Sequence, residues 1–194
     1  MTIHLDYPPG ATPLDADEIA GLIPDHIATQ AELNEWEQQN IQHGDDWARK
    51  QRKEILNEAF VRQLHKQMFG ETWRWAGQFR KSNKNISIDW FKISIEMKKL
   101  LDDVHHQIEH ASYAPDELAV RFHHRLVLIH PFPNGNRRHA RLMADLLVER
   151  LGRARFSWGS RSLVDDNQTR QRYIAALQAA DARDYAPLLA FARS

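Results

Sequence analysis

A chain of 194 residues is of a size for one domain, and a composition of 42% hydrophobic and 27% charged residues excludes a disordered or fibrous polymer. Twenty-six Lys plus Arg against 26 Asp plus Glu give a formal net charge of +0, so no global field recruits nucleic acid or an anionic membrane. With no Cys, disulfides, zinc thiolates, iron–sulfur clusters and cysteine nucleophiles are excluded, and attention falls on the 11 His.

Residues 1–28 hold Pro8, Pro9, Pro13 and Pro24 and read as an extended N-terminal arm. The first residues lack the basic start and apolar run of a secretory signal. No apolar stretch approaches the roughly 18 residues of a membrane span, which implies a cytoplasmic protein. From residue 29 to 194 the pattern is mainly helical. Thr29 precedes a run with Leu33, Trp36, Glu37 and Ile41 at helical spacing that ends near Gly44. A second run from Asp45 to Phe69 closes at Gly70. Between Phe79 and Ile93 the texture changes, and Ile86 and Ile88 among Asn and Ser residues predict one short β-hairpin. Ser94 could cap a helix to about His110, and Pro115-Asp-Glu opens another whose Leu118, Phe122, Leu126 and Ile129 form a buried stripe. Helices over about 138–150, 167–180 and 184–192 complete a mainly α fold.

The chemistry concentrates in His130-Pro-Phe-Pro-Asn-Gly-Asn-Arg-Arg-His-Ala-Arg141. Pro131 disfavours helix at His130, which therefore sits at a helix exit. Gly135 permits close backbone approach, and the free N–H groups of the next helix start make an anion cradle. Arg137, Arg138 and Arg141 stand three or four apart and can project over that helix start as a clamp for a polyphosphate. His130 is a candidate base for a hydroxyl, and Asn134 offers one oxygen ligand, so the set suits phosphoryl or nucleotidyl transfer.

This stretch resembles the Fic (Fido-domain) signature His-Pro-Phe-x-Asp/Glu-Gly-Asn-Gly-Arg-x-x-Arg. The resemblance extends upstream through Leu64 to Arg80, where Phe69-Gly70 and Trp75-Ala76-Gly77 follow the family's pattern, and covers about Asn40 to Ala180. The Leu22-Ile-Pro and Glu32-Leu-Asn-Glu stretches also resemble the bacterial subgroup called mobile mystery protein B. The resemblance implies a helical Fic domain that transfers AMP from Mg-ATP to a Ser, Thr or Tyr hydroxyl of a target protein. His130 would be the base, Gly135 and Asn136 the anion hole, Arg138 and Arg141 the phosphate contacts, and Asn134 would stand at the Mg²⁺ ligand position, while Arg137 joins the nucleotide-binding set from its place in the clamp. The hairpin, with Asn85, Ile86, Ser87 and Ile88 at its centre, would be a flap holding the target backbone by strand addition.

Two positions depart from the AMP-transferring pattern. Asn134 replaces a carboxylate, which weakens metal binding, and Arg137 replaces the second glycine. Both resemble the Doc branch, which moves the γ-phosphate instead; a nucleotide- or partner-binding module without transfer is the third reading. Family members are often silenced by a Ser/Thr-x-x-x-Glu-Gly/Asn helix. Thr29-Gln-Ala-Glu32-Leu-Asn34 is a near match, giving a Glu32–Arg141 contact, with an antitoxin-like partner as the alternative. His106-x-x-Glu109-His110 matches an inverted zinc-protease pattern without a third ligand and reads as a solvated helix end. In His123-His124, one ring packs inward and the other faces out. Trp73, Trp75 and Trp90 read as core and flap packing.

Overall fold

The structure, a computed structural model, describes residues 13–84, 88–160 and 166–194. Those residues form eight α-helices and no strand. They are α1 (Ala16–Ile19), α2 (Gln30–Arg49), α3 (Glu58–Phe69), α4 (Ile93–Glu109), α5 (Pro115–Ile129), α6 (Asn136–Arg150), α7 (Asp166–Asp181) and α8 (Ala186–Arg193). The mainly helical reading holds. The centre of the expected hairpin, Asn85 to Ser87, lies outside the described residues. At its far end Trp90–Lys92 is a 3₁₀ turn leading directly into α4, so Ser94 lies inside the first turn and Lys92 occupies the cap position. No described helix is long and apolar enough to cross a membrane.

Helix α2 does not stop at Gly44 but runs to Arg49. The glycine marks the crossing of α2 with α3: a Cβ there would stand 2.6 Å from Cγ of Met68, so the missing side chain admits the neighbouring helix. The chain then breaks, and Asn57 opens α3 by accepting the Phe60 N–H at 2.8 Å. Val61, Leu64 and Met68 of α3 meet Met97 and Val104 of α4, Phe122 and Leu126 of α5, and Met143 and Val148 of α6 in one buried core. Each such side chain contributes about 1.5–3 kcal/mol by leaving water. Pro115 stands at the first position of α5, where its missing N–H costs nothing.

The stretch read as an extended arm contains α1 and is pinned to the loop after α3. Ile23 N–H donates to the Thr72 carbonyl and Arg74 N–H to the Gly21 carbonyl, both at 2.9 Å. Asp15 and Glu18 accept from Lys84 Nζ at 2.9 and 2.7 Å, which holds the chain just before residue 85.

Candidate active site

The loop between α5 and α6 is fixed from three sides. Helix α5 ends as His130 turns into the left-handed region at φ 51°, and Gly135 does the same at φ 76° before α6 starts. A Cβ on Gly135 would lie 2.6 Å from the Phe69 ring, so glycine is required here by packing as well as by φ. Asn136 is buried and its carboxamide bonds Phe132 twice: Oδ1 accepts the Phe132 N–H at 2.9 Å and Nδ2 donates to the Phe132 carbonyl at 2.8 Å. Its role in the fold is to staple the loop.

His65 supplies the second tie, and nothing in the motif announces it. Its Nδ1 accepts the Gly77 N–H at 3.0 Å, so the ring proton is on Nε2, which donates to the Asn134 carbonyl at 3.1 Å. The ring stacks on Phe132 at 3.7 Å between centroids. Burial first, and the charge of Arg138 among lesser causes, hold His65 well below the usual imidazole pKa, so it stays neutral.

Arg80 is the third tie. It is buried, and its guanidinium donates to main-chain carbonyls of His130 at 2.7 Å, Ser82 at 2.7 Å and Ile88 at 2.5 Å. The site is thereby joined to both sides of the segment that begins at residue 83. The Leu64–Arg80 stretch contained both braces, but sequence spacing does not say which distant carbonyls they reach.

His130 itself is 4% exposed, and neither ring nitrogen has a hydrogen-bond partner. Burial first, then the charges of Arg80 and Arg137, push its pKa down to about 3, against the Val127 carbonyl, which acts to raise it. The imidazole is neutral throughout the physiological range and has a lone pair to offer.

The three arginines divide. Arg137 and Arg141 lie over the buried Tyr173 ring, at 5.9 and 5.7 Å from its centroid. Among the described residues neither has an acidic partner. Burial lowers the Arg137 pKa, and the like charges of Arg170 and Arg141 lower it further. Behind them the Tyr173 hydroxyl meets His123 Nε2 at 3.0 Å. Arg138 faces the other way: its Nη1 donates to Glu37 Oε2 at 2.7 Å, while Glu37 Oε1 accepts from Trp73 Nε1 at 2.7 Å. Glu37 is buried and both its oxygens are engaged.

The expected Glu32–Arg141 contact is not formed. Glu32 is exposed and accepts the N–H groups of Ala28 and Thr29, both at 2.9 Å, closing a capping box at the start of α2. Its Thr-x-x-Glu spacing is that of a cap, and the carboxylate that does reach a motif arginine is Glu37, further along the same helix.

Asn134 Oδ1 accepts the Gly135 N–H at 2.5 Å and its carbonyl accepts from His65. The side chain thus offers one remaining neutral lone pair, a poor fit to a hard divalent cation that favours carboxylates. No group of three His, Asp or Glu that could hold a metal occurs among the described residues. His106 and His110 stack at 4.0 Å on the last turn of α4, where His110 Nδ1 donates to the His106 carbonyl, as a helix end does. Both His123 and His124 are buried, the latter on Asp181 at 2.8 Å, which corrects the expectation that one faces out. A cleft of about 230 Å³ beside Pro133 is lined by Asp15, Asp17 and Glu18 together with Arg80 and Lys81, and Lys84 pairs with Asp15 and Glu18.

A helix-end histidine, a glycine-initiated helix and two arginines over the Tyr173 ring, on a helical scaffold, make a site suited to a polyphosphate. Residues 55–148 match the family model described as Fic/DOC family, the family that the motif resembles. Its fold is similar to that of the BepC effector of Bartonella tribocorum, solved with bound AMPPNP, at TM-score 0.70 and 17% identity over 92% of this chain and 97% of that one. It is also similar to Fic-1 of C. elegans at TM-score 0.66 and 22% identity, covering 90% of this chain and 51% of that chain. In sequence, 77 residues, 40% of this chain, are 35% identical to protein adenylyltransferase fic-1 of Caenorhabditis elegans. The match spans only 14% of that relative's length.

Proposed function

We propose that the chain is a protein adenylyltransferase that moves AMP from ATP to a Ser, Thr or Tyr hydroxyl of a target protein. The observation that carries this reading is His130: a neutral, buried imidazole with both nitrogens unpartnered, charge-coupled to Arg137 at the start of α6. The hydroxyl oxygen attacks the α-phosphorus, the bond from that phosphorus to the β-bridging oxygen breaks, and pyrophosphate leaves. The hydroxyl proton passes to a His130 ring nitrogen. Arg137 and Arg141 meet the phosphate charge, which in turn relieves the positive field that depresses the base, so His130 gains basicity when the nucleotide arrives. The target backbone docks along the segment that Arg80 holds at Ser82 and Ile88. The name of the Caenorhabditis relative supports the same reaction.

Arg137 in place of glycine favours a second reading, transfer of the γ-phosphate. Incubating the protein and a cell lysate with ATP labelled at either phosphate separates them: α-label on protein supports AMP transfer and γ-label supports phosphorylation. ATP binding without either label leaves a binding module. With Glu32 committed to its cap, silencing would fall to a separate antitoxin-like partner.

A further inference from the structure

The donor set at the loop does not suit a divalent cation, while the charge around it is strongly positive, and the two observations meet at the same helix start. We propose that this site holds its polyphosphate without a metal ion, with the guanidinium groups of Arg137 and Arg141 taking the cation's place. The inference rests on the reading that the start of α6 receives nucleotide phosphates.

Four features carry it. Asn134 is neutral, and its side-chain oxygen already accepts from Gly135 N–H at 2.5 Å. The carboxylate found among the motif contacts, Glu37, uses one oxygen on Arg138 and the other on Trp73. Arg137 and Arg141 both face the Tyr173 ring, within 6 Å of its centroid, and have no acidic partner among the described residues. Arg170 on α7 adds further positive charge near Arg137. Two like charges side by side, partly buried and without a counter-anion, are held at a cost that an incoming polyanion removes. A metal entering the same space would be repelled by both and would find no carboxylate among the described residues. The ligand that such a site prefers is the fully charged, metal-free polyphosphate.

Calorimetric titration of the full chain with ATP, and separately with inorganic tripolyphosphate, in excess Mg²⁺ and in excess EDTA tests this. The expected result is an affinity in EDTA equal to or tighter than that in Mg²⁺, with Arg137→Gln weakening both by about tenfold, the worth of one charge-assisted contact. Asn134→Asp, which keeps the bond to Gly135 N–H, should bind ATP more weakly in EDTA and recover with Mg²⁺. A loss of tenfold or more when EDTA replaces Mg²⁺ in the unmutated protein overturns the inference and leaves nucleotide binding intact. No binding of either probe under either condition overturns both. Metal-free binding without any transfer of label sustains the inference and removes the transferase reading.

Discussion

Arg80 donates to the carbonyl of His130 at 2.7 Å while forming no ion pair with any described carboxylate. A buried guanidinium committed to main-chain oxygens is a bracket: it holds the left-handed bend of His130 and the chain at Ser82 and Ile88 in one arrangement. Replacing it with Met leaves several buried carbonyls without a donor, at about 1–3 kcal/mol each. Urea denaturation should show Arg80→Met destabilised by about 3 kcal/mol or more, and Arg80→Lys by less.

His130→Ala should abolish label transfer while leaving ATP affinity within about twofold, because the imidazole handles the proton rather than the phosphates. Calorimetry and autoradiography on the same preparation check both halves. Persistent labelling would remove His130 from the chemistry.

Acid should unfold this protein early. His123, His130 and His139 have folded pKa values lowered to about 3, 3 and 4 by burial, against an ordinary value of 6.5. The unfolded chain therefore binds more protons between those limits, and stability falls as the pH drops below about 6.5. At about pH 5 each of the three costs about 2 kcal/mol, a large fraction of a typical domain's total. Asp145, whose folded pKa is raised to about 6 by burial, works in the opposite direction, losing stability as pH rises through that range. Melting curves should nonetheless shift strongly downward from pH 7 to pH 5, and His139→Gln should flatten the shift.

Gly135→Ala puts a methyl group 2.6 Å from the Phe69 ring at a residue with φ 76°. The backbone alone costs about 1–2 kcal/mol, and the ring must move as well. A melting point several degrees lower is expected, with Phe69→Leu restoring part of the loss by vacating the contact.

Glu37→Gln removes the charge that holds Arg138 and keeps an acceptor for Trp73. The freed guanidinium, 31% exposed, can turn toward an anion, so affinity for tripolyphosphate should rise by a few-fold, on the order of the 0.5–1.5 kcal/mol of one hydrogen bond. Arg138 also lies over the Phe69 ring, 4.9 Å from its centroid, and unchanged affinity with retained fold would mean that it cannot reach the phosphates from there.

The loop was legible because its determinants are local. Pro131 stops a helix, Gly135 starts one, and the arginines follow at fixed offsets, so order along the chain gives proximity in space. The braces were not, because each is a long-range choice: His65 reaches Asn134 across 69 residues and Arg138 reaches Glu37 across 101. Glu32 and Glu37 share one helix and one charge. Capping chemistry at Thr29 claims the first, and burial against Trp73 selects the second. Gly44 misled for a related reason, since a glycine that ends a helix and one that admits a neighbouring helix are the same letter.

The left-handed bend at His130 has a consequence for how the sequence can drift. A histidine at φ 51° is strained by about 1–2 kcal/mol relative to glycine there, and its unpartnered ring adds a further cost. Mutation to glycine or asparagine at this position should therefore make the protein more stable and inert. Copies released from selection for the reaction are expected to lose this histidine early, so its persistence in a lineage would report that the chemistry is still in use.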